Sequence, residues 1–403
     1  MHLLHNTGDL YEGDGFTRYR RYFMLQYSKL ACRWAVGLPD GGGGITVKPK
    51  ATIAALAAAL SVSLAITAAA ARQTAEKAAS VLIEDARIQS VPGVVLAATL
   101  RVPAEKSPHP VLIIQSGSGP SKHGGYVPLE HRLNDIGIAT IEFDKRGVGQ
   151  STGALTDTMQ DMEADISATI AWLRKRPDID GSRIALLGHS QGAAAVPIVA
   201  DRDGHIAAIV FLAGPVGQRG TMFLEGMRRQ LVEGGRAPDL ADRVTAATGR
   251  WMEERSQGAR ANEILEARSA VVAAFKHAGF SPEDAESATK VLDTPQLLSM
   301  YQVAPGTALA HLQIPVLAIF GARDEIIGPQ SNAAAAAMAE NPKAVVLEIP
   351  GANHGFGYRP LDAPARESPG GGPWLSLLPK ALITDWLKEW LIDPPQVDRW
   401  EVN

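Results

Sequence analysis

Residues 183–200 read RIALLGHSQGAAAVPIVA, and at their centre Gly188-His189-Ser190-Gln191-Gly192 has the form G-x-S-x-G. The apolar run before it is what a strand buried on both faces of a parallel sheet shows. The Ala- and Val-rich run after it reads as a helix, Gln191–Ala200. A serine between the two sits on a sharp strand-to-helix turn, where flanking glycines let the backbone pack closely. The helix N-terminus then favours negative charge beside the serine. A bare G-x-S-x-G is weak, and a serine can simply cap a helix; the strand-turn-helix setting marks Ser190 as a nucleophile.

A serine hydroxyl needs a base to take its proton. Downstream, Gly321-Ala322-Arg323-Asp324 follows the strand-like PVLAIF, and Pro350-Gly351-Ala352-Asn353-His354-Gly355 follows VVLEI. Both place a candidate at the carboxyl end of a strand, where open α/β sheets bind ligands. The order Ser190, Asp324, His354 is the one this kind of sheet uses for nucleophile, acid and base. Glu325 is the alternative acid; Asp324 is preferred as the first carboxylate after the turn. The oxyanion of acyl transfer needs two backbone donors. The N–H of Gln191 is one candidate. Ser118, in the loop Ser116-Gly117-Ser118-Gly119-Pro120, is the other, with Gly117 giving room for the turn. His123 reads as a rim residue. The loop DKRGVGQSTG (144–153) meets neither G-x-x-x-x-G-K-[ST] nor a dinucleotide fingerprint, so Asp144 and Arg146 read as residues that fasten loops.

Elsewhere, strands are expected at Val81–Ile88 and Val94–Val102, a hairpin about Pro92-Gly93, and at Val111–Gln115, Ile138–Phe143, Arg183–Leu187, Ile206–Leu212, Pro315–Phe320 and Ala344–Ile349. Helices are expected at Leu129–Ile136, Met159–Arg174, Ser331–Ala339 and Trp374–Leu391. Repeated βα units imply a doubly wound, mostly parallel sheet. Residues 216–308 break the rhythm with amphipathic helices such as Met222–Glu233, Leu240–Glu254 and Ala261–His277. They read as a helical cap inserted after the sixth strand, dividing the core into residues 80–215 and 309–393, with 394–403 as a tail. Met222, Phe223, Met227, Trp251 and Phe275 either line a pocket under the cap or pack the cap's own core.

Together SGSGP (116–120), FDKRGVGQSTG (143–153), GHSQG (188–192), GARDEIIGP (321–329) and PGANHGF (350–356) resemble the α/β-hydrolase superfamily over about residues 80–393. Within it they look like bacterial esterases of the dienelactone-hydrolase-like and S33 serine-aminopeptidase-like groups. The resemblance implies the α/β-hydrolase fold and cofactor-free hydrolysis through an acyl-enzyme, with Ser190, Asp324 and His354 at the triad positions. With the helical insert covering the site, the expected substrate is a small molecule, a medium-sized, fairly hydrophobic carboxylic ester. A peptidase, thioesterase or lactonase would use the same residues, and a non-catalytic binding protein would not need them aligned. A peptidase would also need an anchor for an amine, for which Glu225 or the Glu253-Glu254 pair is a candidate.

Charged residues make up 20% of the chain and the net charge is −4, so no nucleic-acid partner or anionic surface is expected. No CxxC, His/Cys cluster or HExxH supports a metal, and Cys32 is the sole cysteine, which excludes an intramolecular disulfide. Lys48 and Lys50 precede an apolar stretch, Ala51–Ala71, that exits through small residues. Residues 47–72 therefore read as a signal peptide. Export to the periplasm or medium is expected, with no stable membrane span after cleavage. Residues 1–46 are then a non-structural extension, explained if Val47 is a GTG start and Gly41–Gly44 a translated ribosome-binding site. An ordinary disordered extension and an uncleaved anchor are the alternatives.

Overall fold

The computed structural model describes residues 81–105, 107–328, 330–357 and 375–394; the signal-like segment lies outside them. Strands β1 (Val81–Gln89) and β2 (Val95–Pro103) form the expected hairpin. The other strands are β3 (His109–Gln115), β4 (Ala139–Phe143), β5 (Ile179–His189), β6 (Ala208–Leu212), β7 (Val316–Gly321) and β8 (Ala344–Ile349). They lie in one sheet in the order β1-β2-β4-β3-β5-β6-β7-β8. Only the β1–β2 and β2–β4 pairings are antiparallel. After β3 the chain turns back to β4 and then crosses to β5 on the other side of β3, so the order reverses between β3 and β5. That reversal opens a crevice at the carboxyl ends of these two strands.

The apolar runs in the sequence are continuous because each central strand is covered on both faces. On β3, Val111 and Ile113 pack into one apolar cluster and Leu112 and Ile114 into another; on β5, Ile184 and Leu186 oppose Ala185 and Leu187 in the same way. Helices α2 (Met159–Leu173) and α3 (Gln191–Asp203) fill the first face, and α1 (Val127–Asn134) fills the second. Thr158 starts α2 by accepting the N–H of Asp161, and Gly204 ends α3 in the left-handed conformation. β5 starts four residues earlier than expected. His109 pairs with Ile179 across the start of β3, and Asp180, Gly181 and Ser182 are carried into the strand despite their turn-like character.

Between β6 and β7 come α4 (Thr221–Glu233), α5 (Pro238–Gln257), α6 (Ala261–His277), α7 (Pro282–Leu292), α8 (Pro295–Gln302) and α9 (Pro305–His311). Helices α4 to α8 share their own apolar cluster, with Trp251, Met252, Val271 and Phe275 at its centre. Helices α7, α8 and α9 each begin with proline in the first turn, where a missing N–H costs nothing. Helix α9 differs from its neighbours: Ala308 and Leu309 pack with the sheet, beside α3, and not with α4 to α8. Helices α10 (Ser331–Ala337) and α11 (Leu377–Leu391) complete the two outer layers. No helix among the described residues is long and apolar enough to cross a membrane.

Leu309 is fully buried against the sheet while Leu265, on α6, is 63% exposed. Leu309→Ala is expected to lower the unfolding free energy by about 2–5 kcal/mol, and Leu265→Ala by less than about 0.5 kcal/mol. Urea denaturation of the two variants checks the contrast.

Candidate active site

Ser190 ends β5 and opens α3 with φ 56° and ψ −122°, a conformation that side-chain-bearing residues rarely adopt. The turn is held from both sides. Ser190 N–H donates to the Leu212 carbonyl at 2.9 Å, and the Ser190 carbonyl accepts from Ala193 N–H at 3.0 Å. The motif glycines are needed for close approach. A Cβ on Gly188 would lie 2.4 Å from the Gly192 carbonyl oxygen, and one on Gly192 would lie 2.5 Å from that of Ser116. A side chain at Gly188 would push the first turn of α3 off β5, and one at Gly192 would push it off the end of β3.

The loops after β7 and β8 bring Asp324 and His354 to this turn. His354 Nε2 is 2.9 Å from Ser190 Oγ, and its Nδ1 is 2.7 Å from Asp324 Oδ2. The second oxygen of Asp324 accepts the N–H groups of Ile326 and Ile327, both at 2.9 Å. With the carboxylate on Nδ1, that nitrogen bears the proton and Nε2 is left to accept one from Ser190. Both partners are buried. Glu325 is exposed. The His354 loop is tied by Asn353 Oδ1, which accepts from Gly355 N–H (3.1 Å) and Gly357 N–H (2.8 Å). His189 Nε2 is 2.9 Å from the His354 carbonyl oxygen and donates to it. Burial, aided by the nearby His354, lowers the His189 pKa to about 4, so this second imidazole stays neutral. Neither Asn353 nor His189 stood out in the sequence, although both lie inside the motifs that did.

The loop after β3 lies against Ser190: a Cβ on Gly117 would come within 2.9 Å of Ser190 Cβ. Ser118 and Gln191 are in contact, the Ser118 hydroxyl donating to Gln191 Oε1 at 2.7 Å. Beneath them is a buried ion pair that the sequence did not reveal. Lys145 Nζ donates to Asp157 Oδ1 (2.5 Å) and to the Gly117 carbonyl, and the other Asp157 oxygen accepts Gly119 N–H at 2.7 Å. Burial lowers the Lys145 pKa, and the Asp157 charge opposes that shift. Asp144 accepts the backbone and ring N–H of His123 and the N–H of Gln150, while Arg146 bridges Asp161 and Asp165. These two residues do fasten loops.

In the cap, Trp251 and Phe275 are enclosed in its own apolar cluster, with Phe223 and Met227 packed against that cluster. Glu253 is engaged by Arg219 at 2.9 Å and by the Tyr301 hydroxyl at 3.0 Å. Among the described residues, no group of three or more His, Cys, Asp or Glu side chains could hold a metal ion.

Fold and site together define a hydrolase of the α/β-hydrolase type. Residues 92–354 match the model of the X-Pro dipeptidyl-peptidase (S15) family, and the chain belongs to that family. Among curated proteins, it is 28% identical over 246 residues to an uncharacterized 31.7 kDa protein of the Escherichia coli traX-finO intergenic region, covering 59% of this chain and 81% of that one. Esterase EstD of Thermotoga maritima is 25% identical over 140 residues, 33% of this chain and 32% of the esterase. Among solved structures, the Pyrococcus furiosus esterase Pf2001 superposes with a TM-score of 0.51 at 17% identity, over 77% of this chain and 92% of that one, a likeness of fold. The superfamily resemblance read from the motifs therefore holds.

One further carboxylate shapes the loop that contains Ser118. Glu142, on β4, accepts the N–H groups of Gly124 (2.7 Å), Gly125 (3.2 Å) and Tyr126 (3.4 Å) where that loop enters α1. Burial, with Glu130 nearby, raises its pKa from 4.5 to about 7. Between these values only the folded chain holds the proton, so this group's contribution to stability falls as pH rises through the window and levels off above it. His189 has the opposite slope, but it is common to wild type and variant and cancels in their difference. Glu142→Gln cannot ionise, and it is expected to gain on the wild type by up to about 3 kcal/mol between pH 4.5 and 8. Urea denaturation at several pH values measures this; a difference that does not change with pH would contradict the assignment.

Proposed function

We propose that the chain hydrolyses carboxylic esters through an acyl-enzyme, with Ser190 as nucleophile, His354 as general base and acid, and Asp324 as the group that orients the imidazole. The observation that carries this reading is the continuous hydrogen-bonded chain from Asp324 through His354 to Ser190, set on a strained turn. Ser190 Oγ adds to the ester carbonyl as its proton passes to His354 Nε2. The developing oxyanion is held by the N–H groups of Gln191 and Ser118, favoured further by the N-terminus of α3. His354 then protonates the departing alkoxide, giving the acyl-enzyme. Water, deprotonated by the same nitrogen, adds to the acyl carbon, and collapse releases the acid and restores Ser190. Asp324 stays ionised throughout. The route needs no cofactor. The substrate in this reading is a medium-sized, fairly hydrophobic ester, and the Lys48–Ala71 segment favours export.

The family match favours a second reading, cleavage of X-Pro dipeptides from a peptide N-terminus by the same triad. That requires a carboxylate to hold the peptide's amine. Glu253 is already committed to Arg219 and Tyr301, which leaves Glu225 and Glu254 as the candidates for that role.

Reaction with a fluorophosphonate probe, then turnover of a p-nitrophenyl ester series against X-Pro arylamides, tests both readings. Labelling is expected in the wild type and not in Ser190→Ala; a folded wild type that stays unlabelled would overturn both. Faster turnover of the arylamides than of any ester would select the peptidase. Ser190→Ala is expected to lower kcat about 10⁶-fold and Asp324→Asn about 10⁴-fold, as in other triads. The acid limb of the pH–rate profile is expected to follow uptake of one proton, because the neighbouring His189 stays neutral down to about pH 4; a two-proton limb would implicate that second ring.

A further inference from the structure

Acyl transfer needs oxyanion donors fixed to within a few tenths of an ångström. The loop Gly117-Ser118-Gly119 has no regular secondary structure to fix it. Each of its residues is instead held by a polar partner: the Gly117 carbonyl by Lys145 Nζ, the Ser118 hydroxyl by Gln191 Oε1, and Gly119 N–H by Asp157 Oδ2. Gln191 Nε2 in turn donates to the Asp157 carbonyl at 2.8 Å. Into this network reaches one amide from the cap. Gln296 Nε2 is 2.8 Å from Asp157 Oδ2 and 2.9 Å from Gln191 Oε1, so its two N–H groups bind the two acceptors that hold Gly119 and Ser118. Gln296 itself is firmly placed. Thr294 caps the first turn of α8, and Ser299 Oγ accepts Met159 N–H at the start of α2 while donating to the Gln296 carbonyl.

We propose that Gln296 is a positioning residue for the oxyanion loop, so that the seated cap completes the transition-state site in addition to covering it. The proposal rests on the acyl-enzyme reading above. Gln296 touches no reacting atom. It cross-links Asp157 to Gln191, and through them sets where the Ser118 N–H points. Because the Lys145–Asp157 pair survives its loss, the loop loosens without detaching. The effect is therefore smaller than the 10²–10³-fold seen on deleting an oxyanion donor outright.

The test uses the full chain with a p-nitrophenyl ester and a trifluoromethyl ketone. The ketone takes up Ser190 Oγ as a hemiketal whose oxyanion sits in the same site. Gln296→Leu, similar in size but without donors, is expected to lower kcat about 10- to 100-fold, with KM within about threefold, and to weaken the ketone in parallel with kcat/KM. Gln296→Glu, which sets a carboxylate against Asp157, is expected to lose more kcat at neutral pH and gives a second reading should the leucine variant fold poorly. Wild-type kcat and ketone affinity in a folded variant would overturn the proposal, as would a change confined to KM, which would make Gln296 a substrate contact. A wild type that the fluorophosphonate does not label would instead remove the acyl-enzyme reading on which the proposal stands.

Discussion

The site is organised by a close approach of backbones at the strand-order reversal. The turn at Ser190 leaves no room for a side chain at Gly188 or Gly192, and Gly192 lies against the carbonyl of Ser116 in the facing loop. The same contact that strains the serine's backbone therefore brings the Gly117-Ser118 segment beside it. The strain is sustained because β5 and α3, on either side of the turn, are locked in the largest apolar cluster among the described residues. The strained turn at Ser190 and the placement of the Gly117-Ser118 segment are thus two results of one packing constraint.

Around this contact the loops are held by ions taken out of water: Lys145 with Asp157, and Arg146 with Asp161 and Asp165. Buried pairs of this kind contribute little net stability, since desolvation offsets much of the attraction. What they supply is direction. A lysine that must satisfy both Asp157 and the Gly117 carbonyl has few acceptable positions, and each residue it contacts is restricted in turn. Apolar packing of the same volume would tolerate small shifts that these directional hydrogen bonds do not.

Most of the sheet was legible because strands covered on both faces keep an apolar residue at every position, as in Leu112-Ile113-Ile114 and Ala185-Leu186-Leu187. The choice of Asp324 over Glu325 followed from its place after the turn, and the structure adds the reason that Asp324 alone has its second oxygen filled by the N–H groups of Ile326 and Ile327. The start of β5 escaped notice because Asp180-Gly181-Ser182 carries turn residues in an extended segment. The short helices α7 to α9 were read only as part of a helical region, since each spans few turns. Lys145, Asp157 and Gln296 were illegible for a different reason. They are far apart in sequence, and nothing in their local pattern distinguishes them from solvated loop residues; only the fold makes them neighbours.

Helices α4 to α9 leave the sheet after β6 and return into β7, and these two strands are hydrogen-bonded to each other from Ile209–Val316 through Leu212–Ile319. The ladder does not depend on what the chain does between them. An excursion launched and recovered between adjacent strands can be lengthened, shortened or exchanged while the sheet register is kept. Helix α9 marks the inner limit of that freedom, because its Leu309 belongs to the sheet's own core. Any replacement for these helices would thus meet two contacts of the present ones: the seal of Leu309 on the sheet beside α3, and the hydrogen bonds of Gln296 to Asp157 and Gln191.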